Sequence, residues 1–242
     1  MEISEKQLRS MVDDVDELHR ESMKTFREEN GELLFGELSK KTGPTRRRFL
    51  TGAGLGGVAL TVGQSLVPMS RLVAPAYGQA PSDEELAIFA ASFEFAAVQA
   101  YTAAAGTGKV TTRAVAEAAQ KFAGHHNEHG MAFAGFAGAD VEPNQAILDE
   151  FGPQIAGAPD EDAILEIAFT IENAAASTYL FGLGVLQDPD AFNTAASILP
   201  VESQHAITLG LALGREVTDE DLMPAFEPQD KALDPAQFPV NQ

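Results

Sequence analysis

The chain has 242 residues, 45% of them hydrophobic, a length that fits one globular domain with additional segments. It contains no cysteine, which excludes disulfides, thiolate metal sites and iron–sulfur clusters. Residues 1–76 contain equal numbers of acidic and basic side chains, so the whole net charge of −20 lies in residues 77–242. A surface this acidic repels phosphate backbones, so nucleic acid is not expected as a partner.

Residues 1–44 form a charged N-terminal leader. Apolar residues recur at helical spacing among many charges and predict a helix over residues 2–38. The apolar face of this helix is expected to consist of Leu8, Met11, Val15 and Leu18. We interpret the segment as a cytoplasmic leader helix that carries no chemistry of its own.

Residues 45–76 resemble a twin-arginine export signal. The four residues that match its motif are Arg46, Arg47, Phe49 and Leu50. An uncharged, glycine-rich apolar run follows, and it leads to the small-residue cleavage sequence Ala74-Pro75-Ala76. The resemblance implies recognition by the twin-arginine export machinery, contact with the membrane only through this segment, and a periplasmic, extracellular or envelope location. The alternative is a membrane anchor, since about 20 apolar residues can span a bilayer.

Residues 77–242 are predicted to be an all-α domain with an acidic tail, because alternating β-branched runs are absent from the sequence. Ser82 should cap the first helix, with Glu85 as its capping-box partner. The helices are expected at 82–105, 112–137, 146–151, 160–186 and 190–213. Pro200 should kink the last helix, and the tail from Val217 onward should wrap the surface.

The two halves of this domain share one pattern. In the first and third long helices a glutamate is followed seven residues later by a tyrosine. The second and fourth long helices each carry a polar residue followed three residues later by a histidine. The offsets between the halves are 78 and 76 residues. The equivalent pairs are Glu94 and Glu172, Tyr101 and Tyr179, His126 and Glu202, and His129 and His205. A duplicated helical hairpin is the simplest explanation.

The polar residues of this repeat lie within apolar helix faces. A glutamate on such a face is costly to bury unless it is paired or bound to a cation, and two glutamates at equivalent places need a common explanation. The candidate metal ligands are Glu94, His126, His129, Glu172, Glu202 and His205. We interpret Tyr101 and Tyr179 as core residues with hydrogen-bonded hydroxyls; redox-active neighbours of the site are the alternative.

This ligand pattern resembles that of the ferritin-like superfamily, in which two helices each give a glutamate and two others each give a Glu-x-x-His pair. The resemblance covers roughly residues 82–214 and is strongest with exported bacterial ferritin-like domain proteins that carry twin-arginine signals. It implies a ferritin-like four-helix bundle made of two repeated hairpins. It also implies two divalent metal ions, iron or manganese, with zinc as an alternative.

One position departs from the family pattern. His126 stands where family members often have glutamate, so three carboxylates face the four positive charges of two divalent ions. This puts a bridging carboxylate in doubt and leaves open a single ion, a softer ion such as zinc, or weak binding. His125 and Glu128 lie on adjoining faces, and either would enter the site if the helix were rotated. Without such a rotation, Glu128 is expected to be a solvated group or one that supports a ligand.

The expected function is that of an exported ferritin-like metal-binding protein, redox-active toward ferrous iron, oxygen or peroxide. No catalytic residue is assigned, and whether the protein is an enzyme stays open. The first alternative is a non-catalytic envelope or stress-protection module with a degenerate or structural metal site. The second is a membrane-anchored scaffold that uses residues 49–70 as its span.

Overall fold

The computed structural model describes residues 3–29, 81–216 and 232–240. Within these ranges it contains helices and no strand, so the predicted all-α fold is confirmed. The helices are α1 (Glu5–Glu29), α2 (Asp83–Gly106), α3 (Arg113–Ala137), α4 (Gln145–Gly157), α5 (Glu161–Val185) and α6 (Pro189–Ala212). The signal-type segment at 45–76 lies outside the described residues, as does the predicted continuation of the first helix to residue 38.

The four long helices after the signal-type segment form two hairpins. Helix α2 packs against α3, α5 packs against α6, and the hairpins meet mainly through α3 with α6. Helix α4 connects them and packs on α2 and α5. Of the described helices, α2 has the length and composition to cross a membrane, but 61% of that stretch is buried, as in the core helix of a soluble bundle.

Local signals explain where the helices begin and end. Ser82 accepts from the backbone N–H of Glu85, and the Glu85 carboxylate accepts from the backbone N–H of Ser82 at 2.7 Å, so the predicted capping box is present. Asp160 and Asp188 cap α5 and α6 through their side chains, which accept hydrogen bonds from backbone N–H groups of the first turn. Helix α3 ends at Ala137 and is capped by Gly138, whose φ of 63° favours glycine.

The N-terminal helix is part of the bundle core. Helix α1 packs against α3 and α6, and it buries Leu8, Val12 and Val15 against a cluster that includes Phe122 and Leu209. The buried face therefore differs from the predicted one. Leu18, expected on it, is 46% exposed.

The difference has a simple geometric reason. The sequence reading followed the apolar residues at spacings of three, four and three, whereas the buried face follows Leu8, Val12, Val15, His19 and Met23. This second stripe includes a histidine, so hydropathy alone does not select it. It turns α1 so that a polar side chain points toward α3.

The last described segment is also packed. Phe238 is buried, and its carbonyl accepts a hydrogen bond from Asn144 at 3.0 Å. The backbone N–H of Leu233 donates to Thr178 at 2.8 Å. Residues 232–240 therefore lie on the bundle as expected of the tail, while residues 217–231 lie outside the described part of the chain.

Gly130 sets how closely α3 approaches α2. A Cβ at this position would lie 2.6 Å from Cε1 of the Phe95 ring. We expect Gly130→Ala to lower the free energy of unfolding by about 1–3 kcal/mol, because the ring must leave its position in a packed interface. Urea denaturation measures the change.

Gly124, one to two turns earlier on the same helix, is the matched control. It is exposed, and a Cβ there would meet nothing within 4 Å. Gly124→Ala is expected to raise the free energy of unfolding by up to about 1 kcal/mol, since alanine loses less backbone entropy in a helix. A change of the same sign in both variants would contradict the assigned role of Gly130.

Candidate metal centre

Six fully buried polar side chains meet at the middle of the bundle, and they are the six ligands proposed from the sequence. None of them has measurable solvent exposure. Each of the four long helices after the signal-type segment supplies at least one: Glu94 from α2, His126 and His129 from α3, Glu172 from α5, Glu202 and His205 from α6. The repeat thus places equivalent residues of the two hairpins opposite each other.

The six side chains form two overlapping groups that could each hold a cation, with ligand atoms within 4.8 Å of one another. The first group is Glu94, His126, His129 and Glu202. The second group is His126, Glu172, Glu202 and His205. Each offers two carboxylates and two imidazoles. The two shared residues, His126 and Glu202, occupy equivalent positions of the repeat.

His126 lies between the two unshared glutamates. Its Nδ1 is 2.6 Å from Oε2 of Glu94, and its Nε2 is 3.0 Å from Oε1 of Glu172. Burial would lower the pKa of His126, but the charges of Glu172, Glu202 and Glu94 outweigh it and hold the pKa well above the usual value. Without metal, the ring is therefore an imidazolium that donates to both carboxylates.

Glu202 is a buried carboxylate that its protein surroundings do not satisfy. Neither of its oxygens accepts a hydrogen bond from the described residues, although Oε1 lies 2.7 Å from Nδ1 of His129. That nitrogen also lacks a hydrogen bond, so the two atoms are close but not aligned for one. Burial opposes the charged forms, yet the two opposite charges attract and raise the pKa of His129. Without an aligned hydrogen bond both atoms stay incompletely satisfied in an apolar core, and a cation bound to both would satisfy them.

The donor set itself suits a metal ion. Carboxylate oxygens and imidazole nitrogens are the ligands used by iron, manganese and zinc sites in proteins. With the unsatisfied Glu202 and His129 atoms at the centre, the residues present fit the ions that the fold family implies. The buried histidines and glutamates are therefore able to hold metal.

Each tyrosine of the repeat bonds to the glutamate of the opposite hairpin. The Tyr101 hydroxyl on α2 donates to Glu172 on α5, and the Tyr179 hydroxyl on α5 donates to Glu94 on α2. Burial, followed by the nearby carboxylate, raises the pKa of both phenols well above the usual value, so both stay protonated. This symmetric exchange agrees with a duplicated hairpin.

The interpretation of the tyrosines as core residues with bonded hydroxyls is consistent with these contacts. Both rings are buried. Their hydroxyls hold one oxygen of each unshared glutamate and so fix the carboxylates beside the site.

A chain of polar contacts connects the centre to α1 through His205. Its Nδ1 lies 3.2 Å from Oε2 of Glu172, while its Nε2 lies 3.0 Å from Nδ1 of His125. The Nε2 of His125 in turn lies 3.2 Å from Oδ1 of Asp16 on α1. Burial, aided by the neighbouring histidines, lowers the pKa of His125 to about 2, so this ring is neutral.

A second chain passes through His129. Its Nε2 lies 3.2 Å from Nδ1 of His19 on α1, and Nε2 of His19 lies 3.4 Å from a carboxylate oxygen of Glu128. In both chains the outer nitrogen of a ligand-type histidine is engaged, which leaves Nδ1 facing the centre. Contacts of this kind fix the tautomer and ring orientation of metal-binding histidines.

Four residues of these chains were not among the candidate ligands proposed from the sequence. His125 was considered only as a replacement ligand that would need a rotated helix, and Glu128 as such a replacement, a solvated group or a group that supports a ligand. In the structure both contact the ring of another histidine. Asp16 and His19 were passed over in a leader thought to lack chemistry. The sequence signal that could have indicated the buried face of α1 is the helical spacing of Val12, Val15 and His19.

Comparison with known proteins supports the fold. The family model for the ferritin-like domain matches residues 82–215, which is more than half of the chain. No curated protein and no solved structure matches the chain at a significant level. The matched region includes all six central residues and excludes α1. The chain belongs to the ferritin-like domain family.

Proposed function

We propose that this protein is an exported ferritin-like metalloprotein that binds two divalent ions, iron or manganese, and reacts with ferrous iron, oxygen or peroxide. The observation that carries the proposal is Glu202, a fully buried carboxylate with no hydrogen bond among the described residues, shared by two groups of metal-type ligands. The imidazoles also leave zinc as an alternative ion.

Of these reactants, the surroundings of the centre best support access of molecular oxygen, which is small and apolar. Two apolar pockets are each lined in part by one of its tyrosines. One is lined by Ala100, Ile164 and Tyr101, and the other by Phe93, Phe133 and Tyr179. In this proposal the protein holds the ions and excludes bulk water, and the redox chemistry is supplied by the metal.

Export is the other part of the proposal. The motif at 46–50 and the apolar run after it support recognition by the twin-arginine machinery. That route suits a protein whose metal is inserted in the folded state before transport. Cell fractionation of the full chain, beside an Arg46→Lys, Arg47→Lys variant, tests it; retention of the variant in the cytoplasm is expected.

Elemental analysis of the untagged full chain tests the metal site. We expect about two equivalents of iron or manganese, lost when Glu94 and Glu172 are both changed to Ala, because each cation group then keeps a single carboxylate. A second double variant, Glu94→Gln with Glu172→Gln, keeps neutral oxygen acceptors at both positions. Circular dichroism of both double variants shows whether a loss of metal reflects a changed site or an unfolded protein.

The matched control changes two exposed glutamates, Glu84 and Glu150, to Ala. This variant should keep its full metal content. Absence of bound metal from the wild-type protein, even after anaerobic reconstitution, would contradict the metalloprotein proposal. A non-catalytic envelope module would then be the better reading, favoured by the fact that His126 already joins Glu94 to Glu172 without an ion.

A further inference from the structure

The site differs from the usual family pattern at one of its two shared positions. His126 and Glu202 are equivalent in the repeat, and each belongs to both cation groups. A shared glutamate can give one oxygen to each of two ions. A histidine in the same place can reach two ions only through its two ring nitrogens.

Glu202 has the arrangement of a bridge. Its Oε1 lies 2.7 Å from Nδ1 of His129 in the first group, and its Oε2 lies 3.5 Å from Nδ1 of His205 in the second. One oxygen therefore faces each unshared histidine. Oε2 also lies 3.8 Å from Nδ1 of His126, so the carboxylate reaches the first group with both oxygens and the second with Oε2.

His126 faces both groups with its two nitrogens. Nδ1 points to Glu94 of the first group at 2.6 Å, and Nε2 points to Glu172 of the second at 3.0 Å. The ring is fully buried and packs against the Tyr101 ring with centroids 5.5 Å apart. Neither nitrogen is directed at solvent, so both are available to the two cation groups.

Resting on the proposed metal function, we propose that His126 bridges the two ions as an imidazolate, with Nδ1 bound to one ion and Nε2 to the other. The metal-free ring is an imidazolium, and each nitrogen must offer its lone pair to an ion, so the bridge requires loss of both N–H protons, which are released to water. Bound cations promote such a loss, as they do for bound water and thiols.

The bridge also balances the charge of the site. Glu94, Glu172 and Glu202 provide three negative charges, and an imidazolate at His126 provides the fourth. Four negative charges match two divalent ions. The deficit that the histidine creates on a simple ligand count is thereby removed, without recruiting any further carboxylate.

A bridging ring predicts a wider separation of the ions than a carboxylate bridge. Two metal–nitrogen bonds of about 2 Å on opposite sides of an imidazole place the ions roughly 6 Å apart. Two-metal sites of the usual kind hold their ions about 3.5–4 Å apart. The separation therefore distinguishes the two arrangements without any measurement of activity.

The test is anomalous diffraction from crystals of the full chain loaded with zinc alone. We expect two peaks roughly 6 Å apart, one on each side of the His126 ring. In His126→Glu, which restores the family's usual residue, we expect two peaks about 3.5–4 Å apart. In His129→Glu, the same substitution at an unshared ligand, the wide separation should persist because the bridge is intact.

Each other outcome has a definite meaning. Two peaks about 3.5–4 Å apart in the wild-type protein, or a single peak beside one nitrogen of His126, would overturn the bridge and leave the metalloprotein proposal standing. No zinc at the centre would overturn both proposals. Circular dichroism of each variant in solution separates a changed site from a failure to fold.

Discussion

The metal-free protein is expected to have its highest free energy of unfolding near pH 6.5. This free energy should fall by several kcal/mol at both lower and higher pH. The acid loss comes mainly from His125, whose pKa is about 2 in the folded state against 6.5 when unfolded. Between these values the unfolded chain binds a proton that the folded protein does not. His125 therefore causes no loss above pH 6.5, and below it this residue lowers the free energy of unfolding by about 1.4 kcal/mol per pH unit.

Glu94 steepens the acid loss at lower pH. Burial would raise the pKa of this carboxyl, but His126 and His129 outweigh it and lower the pKa from 4.5 to about 2. Its contribution is present above pH 4.5 and is lost as the pH falls toward 2. At pH 4.5, before Glu94 contributes, His125 alone accounts for a loss of about 3 kcal/mol.

The alkaline loss comes from the histidines of the centre. Burial would lower the pKa of His129, but Glu202 and Glu94 raise it to about 9, and the pKa values of His126 and His205 are also raised by buried carboxylates. These rings hold protons that the unfolded chain releases above pH 6.5. Their contribution is complete below pH 6.5 and is lost through pH 9, by about 3 kcal/mol at pH 8.5 for His129 alone.

Bound metal should remove the alkaline loss. Histidines bind metal without the proton on the coordinating nitrogen, so binding strengthens as the pH rises. Urea denaturation at pH 4.5, 6.5 and 8.5, with chelator and with excess zinc, measures both arms. Equal stability of the chelated protein at pH 6.5 and 8.5 would contradict the assigned protonation of the centre.

A single variant isolates the loss of stability at acid pH. His125→Gln removes the group that the folded protein keeps neutral, so the loss between pH 6.5 and 4.5 should shrink by about 3 kcal/mol. The alkaline arm should remain, because the histidines that produce it are unchanged. A wild-type acid slope in this variant would assign the loss to another group.

Much of the bundle could be predicted because its signals are local. The capping box at Ser82 and the glycine at Gly138 define helix ends through backbone geometry that neighbouring residues determine. The internal repeat added a second, independent copy of the ligand pattern. Two glutamates at equivalent places on apolar faces require burial with a partner, which is why the sequence led to the residues that meet at the centre.

The docking of α1 could not be predicted in the same way. Which face of a charged helix is buried depends on the surface it meets, and that surface is built by residues about 100 positions later. Turning the helix by one position exchanges Leu18 for His19 on the buried face. Hydropathy favours the leucine, while the contacts with His125 and His129 on α3 require the histidine.

The position of α1 bears on the proposed export. The signal-type segment separates α1 from the bundle in the chain, so transport and cleavage after it would part the two. The contacts of Asp16 and His19 with the centre would then exist in the precursor and be lost from the exported form. On this view the precursor is the form that loads metal, which agrees with insertion before transport.

Substitutions in α1 are expected to weaken metal binding roughly 10–100-fold, although α1 lies outside the region that matches the family. Asp16→Asn removes the carboxylate that orients His125 and, through it, His205. His19→Leu removes the acceptor beside Nε2 of His129. Competition with a zinc chelator measures the affinity of each variant in the full chain, and thermal unfolding in chelator measures any loss of stability.

Two matched changes separate positioning from general damage to α1. Asp13 and Asp16 both pair with Lys121, at 2.6 and 3.3 Å, but only Asp16 reaches a histidine of the chain that leads to the centre. Asp13→Asn should therefore leave zinc affinity unchanged. His19→Asn, whose side-chain oxygen takes the place of Nδ1, should recover most of the affinity lost in His19→Leu. If Asp13→Asn weakens binding as much as Asp16→Asn does, α1 acts through general electrostatics and not through oriented histidines.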